Sequence, residues 1–422
     1  MNDNNTYSLA EVASMLGLTL KATRRMVASG SISSIKANNT YRIDKAYFDA
    51  NIDQLRNKSR QVEATLFGEE VANRHINYVK KQTDVVNWAD IFPQWSQPSP
   101  SNMTFVDLFC GAGGLSKGFE MAGLHGVCGL DWFEEAGQTY RRNFNHPFVF
   151  GDIKDESVKK RFYDTVNKEL AGRRLNVVAG GFPCQGFSMA GNRIVDDPRN
   201  SLYLEMLEIV KNLQPDFVVC ENVKGLRSML GGAVEQKIID DYKEIGYEMN
   251  VTVLCAADYS TPQKRERVIF IGNRIGLKNY HPKPFLSPSD YVTTGQAIGD
   301  LMNHPEDVPF NHVPTKHTPE MAARMLALPE GASLYKGYSD AWKKCPWNEA
   351  SCTIKENHGG VNIHPKLPRV LTAREMARLQ SFPDDFIFMG TKNKQLVQIG
   401  NAVPPLLGKA IGLAVRFSNS DF

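Results

Sequence analysis

The chain has 422 residues, enough for two or three domains, with 42% hydrophobic and 23% charged residues, the proportions of an ordinary globular protein. No apolar run approaches the ~20 residues a membrane span needs, and the polar start Met1-Asn2-Asp3-Asn4-Asn5 lacks a secretory apolar region. Seven scattered cysteines (110, 128, 184, 220, 255, 345, 352), odd in number and without a Cys-x-x-Cys pair, argue against a disulfide framework and a structural zinc site, and for reduced thiols in a cytoplasm. The net charge is +3, and residues 1–60 alone hold nine Lys/Arg against five Asp/Glu, so the basic excess is N-terminal.

Residues 7–52 begin with Ser8, which can cap a helix with Glu11 three residues on. Leu9, Val12, Ala13 and Leu16 form a stripe at helical spacing, and Gly17 ends that helix. Leu20 to Ser29 reads as a second helix carrying Lys21, Thr23, Arg24 and Arg25, with Gly30 as its stop. Strands at 32–36 and 40–43 flank Asn38-Asn39 as a hairpin, and 45–51 closes as a helix. The layout resembles the helix-turn-helix with a small wing of excisionase-like and MerR-like DNA-binding domains. It implies that the second helix enters a major groove. A protein-interaction module is the alternative, and the basic helix face favours DNA.

Residues 53–101 read as a linker ending in the Pro/Ser-rich stretch Trp95 to Ser101. Phe105-Val106-Asp107-Leu108-Phe109 then reads as a buried strand running into Cys110-Gly111-Ala112-Gly113-Gly114-Leu115-Ser116 and a helix through Met121. Strand, glycine turn and helix open a Rossmann-like nucleotide fold. The spacing is not Gly-x-Gly-x-x-Gly, so a dinucleotide is not favoured; a turn without a ligand is the alternative. Gly129-Leu130-Asp131-Trp132 follows as a second strand ending in a carboxylate suited to a ribose diol, with Trp132 able to pack on adenine. Asp152, at a third strand end, suits an adenine amino group.

Cys184 lies in Gly180-Gly181-Phe182-Pro183-Cys184-Gln185-Gly186-Phe187-Ser188, after the apolar run Leu175 to Ala179. A cysteine after a proline, on a polar loop at a strand end, is presented as a nucleophile. Glu221 ends another apolar strand, Asp216 to Cys220, where open α/β sheets place ligands. Cys110, Cys128, Cys220 and Cys255 read as packing residues.

Taken in order, these segments resemble the cytosine-C5 DNA methyltransferases. Phe105 to Gly114 looks like the family's first motif and Gly181 to Gln185 like its catalytic motif. Glu221-Asn222-Val223, Gln263-Lys264-Arg265-Glu266-Arg267-Val268, Arg369 to Glu375 and Gln398 to Pro405 match further motifs. Six ordered motifs are far more specific than any one.

The resemblance implies a Rossmann-like S-adenosylmethionine-dependent methyltransferase fold of α/β class, a small target-recognition domain and the N-terminal winged helix-turn-helix. The implied division is 1–52 for DNA binding, 53–101 linker, 102–280 catalytic, 281–365 target recognition and 366–422 the rest of the catalytic domain. It implies a bacterial restriction-modification enzyme that moves a methyl group from S-adenosyl-L-methionine to C5 of a flipped cytosine in double-stranded DNA. Cys184 would add to C6, making C5 enamine-like, with Gln185 beside it. Glu221 would contact N3 and the exocyclic amine as a proton donor. Arg265 would bind O2 or orient the Cys184 loop; Arg267 would share that work or form a structural salt bridge. Phe109, Gly111, Gly113, Gly114, Asp131, Trp132, Asp152 and Pro183 would line the cofactor site, closed by Leu202 and Asn401. Asp131 stands where the family more often has glutamate. Residues 189–197 read as a loop that closes over the flipped base.

Residues 281–365 hold six of the nine histidines and seven Lys/Arg against nine Asp/Glu, so this segment is no basic patch. Leu406 to Phe417 is apolar at helical spacing and is expected to pack on the helices of the first sheet. No metal and no membrane partner is expected. A monomer on DNA is expected, with dimerisation through the N-terminal domain as the alternative, in a nucleoid-associated cytoplasmic protein. Two other readings compete: a transcription regulator that uses the fold for positioning, and an RNA methyltransferase, which the DNA-like N-terminal domain disfavours.

Overall fold

The computed structural model describes residues 5–16, 23–24, 26–27, 32–37, 40–52, 55, 85–86, 95–96, 98–183, 189–190, 193–194, 201–335, 342–355 and 361–421. The chain falls into two packing units, one of Met1–Gln82 with Gly231–Ala233 and a larger one of Thr83–Leu230 and Val234–Phe422.

In the N-terminal unit the capping box forms as the sequence predicts. The Ser8 amide donates to Glu11 Oε2 at 2.7 Å and the Glu11 amide to Ser8 Oγ at 3.3 Å, which starts helix α1 (Leu9–Leu16). A strand the sequence did not announce, β1 (Thr6–Ser8), precedes it; three residues are too few to show an alternating pattern. The predicted hairpin is present as β2 (Ile35–Ala37) and β3 (Thr40–Asp44), with Ala37 opposite Thr40, and β1 adds antiparallel to β3. Val12, Leu16, Met26, Val27, Ile32, Ile43, Phe48 and Leu55 fill the core beneath this sheet.

The larger unit is built on a seven-stranded sheet: β4 (Thr104–Leu108), β5 (His125–Asp131), β6 (Phe148–Phe150), β7 (Val177–Gly180), β8 (Phe217–Val223), β9 (Glu248–Cys255) and β10 (Glu266–Asn273). Their order is β9-β10-β8-β7-β4-β5-β6. β10 runs antiparallel between β8 and β9, and the other neighbours are parallel. From β4 the chain first builds outward through β5 and β6, then returns to the other side of β4 to lay down β7 and β8. The strand order therefore reverses between β4 and β7, and their carboxyl ends flank the crevice where such sheets bind ligands.

Helices α2 (Gly114–Met121), α3 (Glu134–Asn143), α4 (Glu156–Leu170), α5 (Ser201–Leu213), α6 (Ala233–Glu244), α7 (Thr294–Ile298), α8 (Pro319–Ala327), α9 (Ala373–Leu379), α10 (Lys392–Asn401) and α11 (Pro405–Ser418) complete the unit. As expected from its apolar spacing, α11 packs on α2, sharing a core with β4, β8 and β10 through Phe105, Leu115, Phe119, Val219, Ile269, Leu407 and Ile411. Glycine makes this contact close: a Cβ added to Gly118 would lie 2.5 Å from the Pro405 carbonyl oxygen and 2.6 Å from Gly408 Cα. The buried Arg416 locks the same helix from its far end, donating to the carbonyls of Ser99 at 2.9 Å and Ala122 at 2.7 Å. A second core cluster joins Ile298, Met325, Cys345, Ile354 and Ile363 to Leu371, Met376, Leu379 and Ile399, and to Tyr140 of α3 and Phe144 just after it.

Under the first glycine turn runs a polar string. Ser116 Oγ donates to the buried Asp107 carboxylate at 2.6 Å and lies 2.8 Å from Tyr140 Oη, which is 2.7 Å from His146 Nε2. Burial pushes the Asp107 carboxyl up to about 7, against the opposing bond from Ser116.

Two stability predictions follow from this packing. Alanine gains up to ~1 kcal/mol over glycine at a free helix position, but overpacking costs ~1–3 kcal/mol. Gly118→Ala should therefore lower the thermal midpoint; a rise would show that the helices separate freely. For Asp107, the folded state holds a proton that the unfolded chain releases between roughly pH 4 and pH 7. That stabilisation is complete at the acid end of the window and is lost as pH rises through about 7. Calorimetry across the window should show Asp107→Asn with a flatter decline than the parent; parallel curves would refute the assignment.

Candidate active site

The crevice at the β4/β7 reversal is lined first by the glycine turn. β4 is buried along its whole length, and the chain leaves it through Phe109 at φ 55°, a left-handed conformation that a bulky residue adopts only when its surroundings hold it there. Gly111 follows at φ 52° with nothing within 4 Å of an added Cβ, so the turn leaves open space above its backbone. Gly113 at φ 93° caps α2, and Gly114 lies against the Val403 carbonyl.

The second strand end is fastened to this turn. Asp131 Oδ2 accepts the Gly111 amide and Oδ1 the Phe133 amide, both at 2.8 Å. Burial raises the Asp131 carboxyl and these amides lower it, burial being the larger effect. The aspartate therefore has a structural task besides any ligand contact; with the Trp132 amide also bonded to it, the carboxylate still keeps acceptor capacity for a hydroxyl. Beside it Trp132 is 75% exposed, a large indole held out in solvent. Asp152 is exposed at the third strand end, its Oδ1 accepting the Lys154 amide at 3.0 Å. Asn401 is exposed at the end of α10 and Leu202 half-buried at the start of α5. An open glycine turn, an exposed indole and two carboxylates with spare acceptors fit an adenosyl group with its ribose and amino nitrogen.

β7 leads to the second wall. Gly180 is opposite Leu108 of β4 on one side and Cys220 of β8 on the other. Gly181, Phe182 and Pro183 follow, with Phe182 buried and Pro183 exposed. Cys184 and Gln185 lie outside the described residues. The approach to them is fixed from β8: Asn222 Nδ2 donates to the Phe182 carbonyl at 2.8 Å, and a Cβ on Gly181 would sit 3.0 Å from Glu221 Oε2. Glu221 Oε1 pairs with Arg267 Nε at 2.8 Å, and each side chain is only 13% exposed. The pair runs diagonally across β8 and β10, since Glu221 is opposite Ile269 in register.

Arg265 is placed differently from what the sequence suggested. Its guanidinium is 3% exposed and donates to the carbonyls of Ile354 at 3.0 Å and Gly400 at 3.1 Å. Arg267 and not Arg265 reaches the Glu221 carboxylate. Thr23 needs a correction as well. It is fully buried, on the same helix face as Met26 and Val27, and cannot present its side chain to DNA. Arg24 is exposed, while Lys21 and Arg25 lie outside the described residues. Cys110, Cys128 and Cys220 are buried, and burial pushes the thiols of Cys128 and Cys220 up to about 12, as befits packing residues. Among the described residues no group of three His, Cys, Asp or Glu could hold a metal, and no helix is long and apolar enough to cross a membrane.

Comparison with known proteins decides the family. The model of the C-5 cytosine-specific DNA methylases matches residues 103–416, about three quarters of the chain. The chain belongs to that family. A helix-turn-helix domain model matches residues 6–56. The chain is 37% identical to the Type II methyltransferase M1.HphI of Haemophilus parahaemolyticus, covering 76% of this chain and 88% of that one. It is 34% identical to M.DdeI of Desulfomicrobium norvegicum, covering 75% and 88%. A solved E. coli prophage protein, described as a DNA modification methyltransferase, superposes with a TM-score of 0.61 at 25% identity, over 76% of this chain and all of that one. This chain is therefore a C-5 cytosine-specific DNA methylase by family, carried on the Rossmann-like sheet described above.

Two residues of the site escaped the sequence reading. Asn222 was visible only as part of a motif, although an asparagine inside an otherwise apolar strand is a signal of its own. Gly181 looked like loop composition, yet its missing side chain is what admits Glu221. A double-mutant cycle on unfolding free energy with Glu221→Gln and Arg267→Gln should give a coupling on the order of 1 kcal/mol or more for so enclosed a pair. Additive single effects would show that the pair does not form.

Proposed function

We propose that this methylase attacks C6 of a cytosine through Cys184 after the base has left its duplex. The Glu221–Arg267 pair carries this reading. It stands beside Gly181, three residues before the cysteine, with Glu221 Oε1 committed to the arginine and Oε2 toward the cysteine's approach.

The chemistry follows from electron demand. The Cys184 thiolate forms an S–C6 bond, and the C5–C6 π electrons shift toward N3 and O2. Glu221 donates a proton at N3 and accepts from the exocyclic amine, which also identifies the base as cytosine. Arg267 orients that carboxyl and offers its remaining N–H groups to O2, so that it, and not Arg265, stabilises the charge. S-adenosylmethionine, when bound, supplies an electrophilic methyl group. Asp131 and Asp152 would hold its ribose and adenine, Trp132 and Phe109 its ring, Gly111, Gly113 and Gly114 its close approach, and Pro183, Leu202 and Asn401 the remaining wall. After methylation a base takes the C5 proton, the C5–C6 double bond re-forms, the S–C6 bond breaks to release the thiolate, and the N3 proton returns to Glu221. Residues 281–365 read the target, residues 189–197 close over the base, and the enzyme acts on duplex DNA as a monomer, protecting host DNA.

A duplex containing 5-fluorocytosine tests the adduct, because the fluorine cannot leave as a proton. The wild type should form a covalent complex and Cys184→Ser none; a normal complex with the serine variant would overturn the nucleophile. Glu221→Gln should lower kcat by roughly 10²–10⁴, read from labelled methyl transfer, and bisulfite sequencing of host DNA gives the target.

The helix-turn-helix match supports a second DNA contact, and we propose that it binds the gene's own promoter. Arg24 is the exposed described cation of the second helix. Arg24→Ala should weaken binding to a promoter duplex several-fold, with a shallower salt dependence, and leave methylation within twofold. An equal loss of methylation would assign the domain to target recognition.

A further inference from the structure

The segment Gln263–Arg265 is bonded to three distant parts of the chain at once. Residues 351–354 run beside it: Ser351 and Gln263 form a parallel bridge, the Ser351 amide donates to the Pro262 carbonyl at 3.0 Å and the Lys264 amide to the Ser351 carbonyl at 2.8 Å. Ile354 is then held at both backbone atoms. Its amide donates to Gln263 Oε1 at 2.8 Å, and its carbonyl accepts Arg265 Nη1 at 3.0 Å. On the other side Gln263 Nε2 donates to Gln380 Oε1 at 2.8 Å and to the Leu379 carbonyl at 3.1 Å. Gln380 Nε2 passes on to the Ile399 carbonyl at 2.7 Å, and Arg265 Nη2 to that of Gly400 at 3.1 Å. Asn401 is the next residue, and Arg267 of the catalytic pair is two residues beyond Arg265.

Gln263 and Gln380 are 0% exposed and Arg265 is 3% exposed. Polar groups so enclosed cannot fall back on water when a partner moves, so the chain of bonds transmits a displacement or breaks at a cost. The amide of Gln263 has a fixed sense, since its oxygen is committed to an N–H and its nitrogen to two acceptors. Movement at Ile354 therefore reaches Gln380 and the 399–401 backbone.

We propose that Gln263, Gln380 and Arg265 form a positioning joint that couples seating of the DNA target by the 281–365 segment to the cofactor wall at Gly400–Asn401 and to the Glu221–Arg267 pair. This rests on the functional reading above, with DNA on the one segment and cofactor at the other. Its consequence is reciprocal coupling: DNA tightens the cofactor and the cofactor tightens DNA by the same factor.

The test uses the full chain, S-adenosylhomocysteine as a non-reacting ligand, and an unmethylated plasmid duplex that the wild type methylates. In the wild type the duplex should tighten S-adenosylhomocysteine by ~10-fold or more. Gln263→Met and Gln380→Met should bring that ratio below ~3, with the affinity for ligand alone within twofold and kcat reduced more than KM for DNA changes. A variant that melts earlier but keeps the wild-type ratio would make the joint mere scaffold and overturn the proposal. Hydrogen exchange on the wild type provides a reading independent of any variant's folding. S-adenosylhomocysteine alone should protect the amides of 351–355, and the duplex alone those of 396–402. Exchange unchanged in both directions, or a wild-type ratio near one, overturns it. A wild type that binds neither DNA nor S-adenosylhomocysteine would instead refute the functional reading.

Discussion

The parallel pairing of β4 with β7 is the constraint on which the site depends. With Leu108 opposite Gly180, the turn that leaves β4 and the cysteine approach that leaves β7 emerge side by side from one edge of the sheet. Neither segment could be placed by its own sequence, because they are separated by some seventy residues that form β5, β6 and three helices. Once the two strands are paired, β8 is the next neighbour on the cysteine side and delivers Glu221 and Asn222 to the same edge. The antiparallel β10 then returns Arg267 to that edge from the opposite direction. Four chain segments meet because of strand order alone, and side-chain chemistry refines a meeting that the sheet has already arranged.

Close backbone approach is the second condition, and glycine supplies it where it is needed. At Gly118 the absent side chain lets α2 and α11 share a core with the sheet, which closes the C-terminal stretch onto the first motif. At Gly181 the absent side chain leaves the space that the Glu221 carboxylate occupies. The same chemical fact serves helix packing in one place and the seating of a carboxylate in the other. Asp131 shows a comparable double use, because its carboxylate ties the glycine turn to the second strand end while retaining acceptor capacity toward a ligand.

Much of this was legible in the chain, for reasons of range. The Ser8–Glu11 cap is a local signature and formed as read. The strands that end at Asp131 and Gly180 follow from apolar runs that stop at polar or small residues, while β8 runs two residues past Glu221, which the sequence reading put at the strand's end. The apolar spacing of Leu406 to Phe417 marked a packed helix. What failed needed information from other segments. Thr23 lies at the spacing of Met26 and Val27, so helical geometry puts it in the core, but its hydroxyl and basic neighbours suggested the opposite face. The choice between Arg265 and Arg267 turns on the register of β10 against β8, which no local pattern records. β1 is three residues long and exists because β3 offers it a free edge.

The polar contacts that hold the site share a property that lets the frame hold a segment whatever side chains that segment carries. Asn222 binds the Phe182 carbonyl, Arg265 binds the carbonyls of Ile354 and Gly400, and Gln263 receives the Ile354 amide. In each case a fixed side chain of the catalytic frame grips a backbone group of the segment it positions. Backbone groups are the same whatever residue carries them, so such a grip is indifferent to the identity of its recipient. The segment around Ile354 can then change its side chains while its backbone stays anchored. An apolar contact in that place would have tied the segment's sequence to the frame through shape and volume. Buried side-chain-to-backbone hydrogen bonds separate the two, leaving the segment's side chains free to vary and the geometry at Glu221 and Arg267 unchanged.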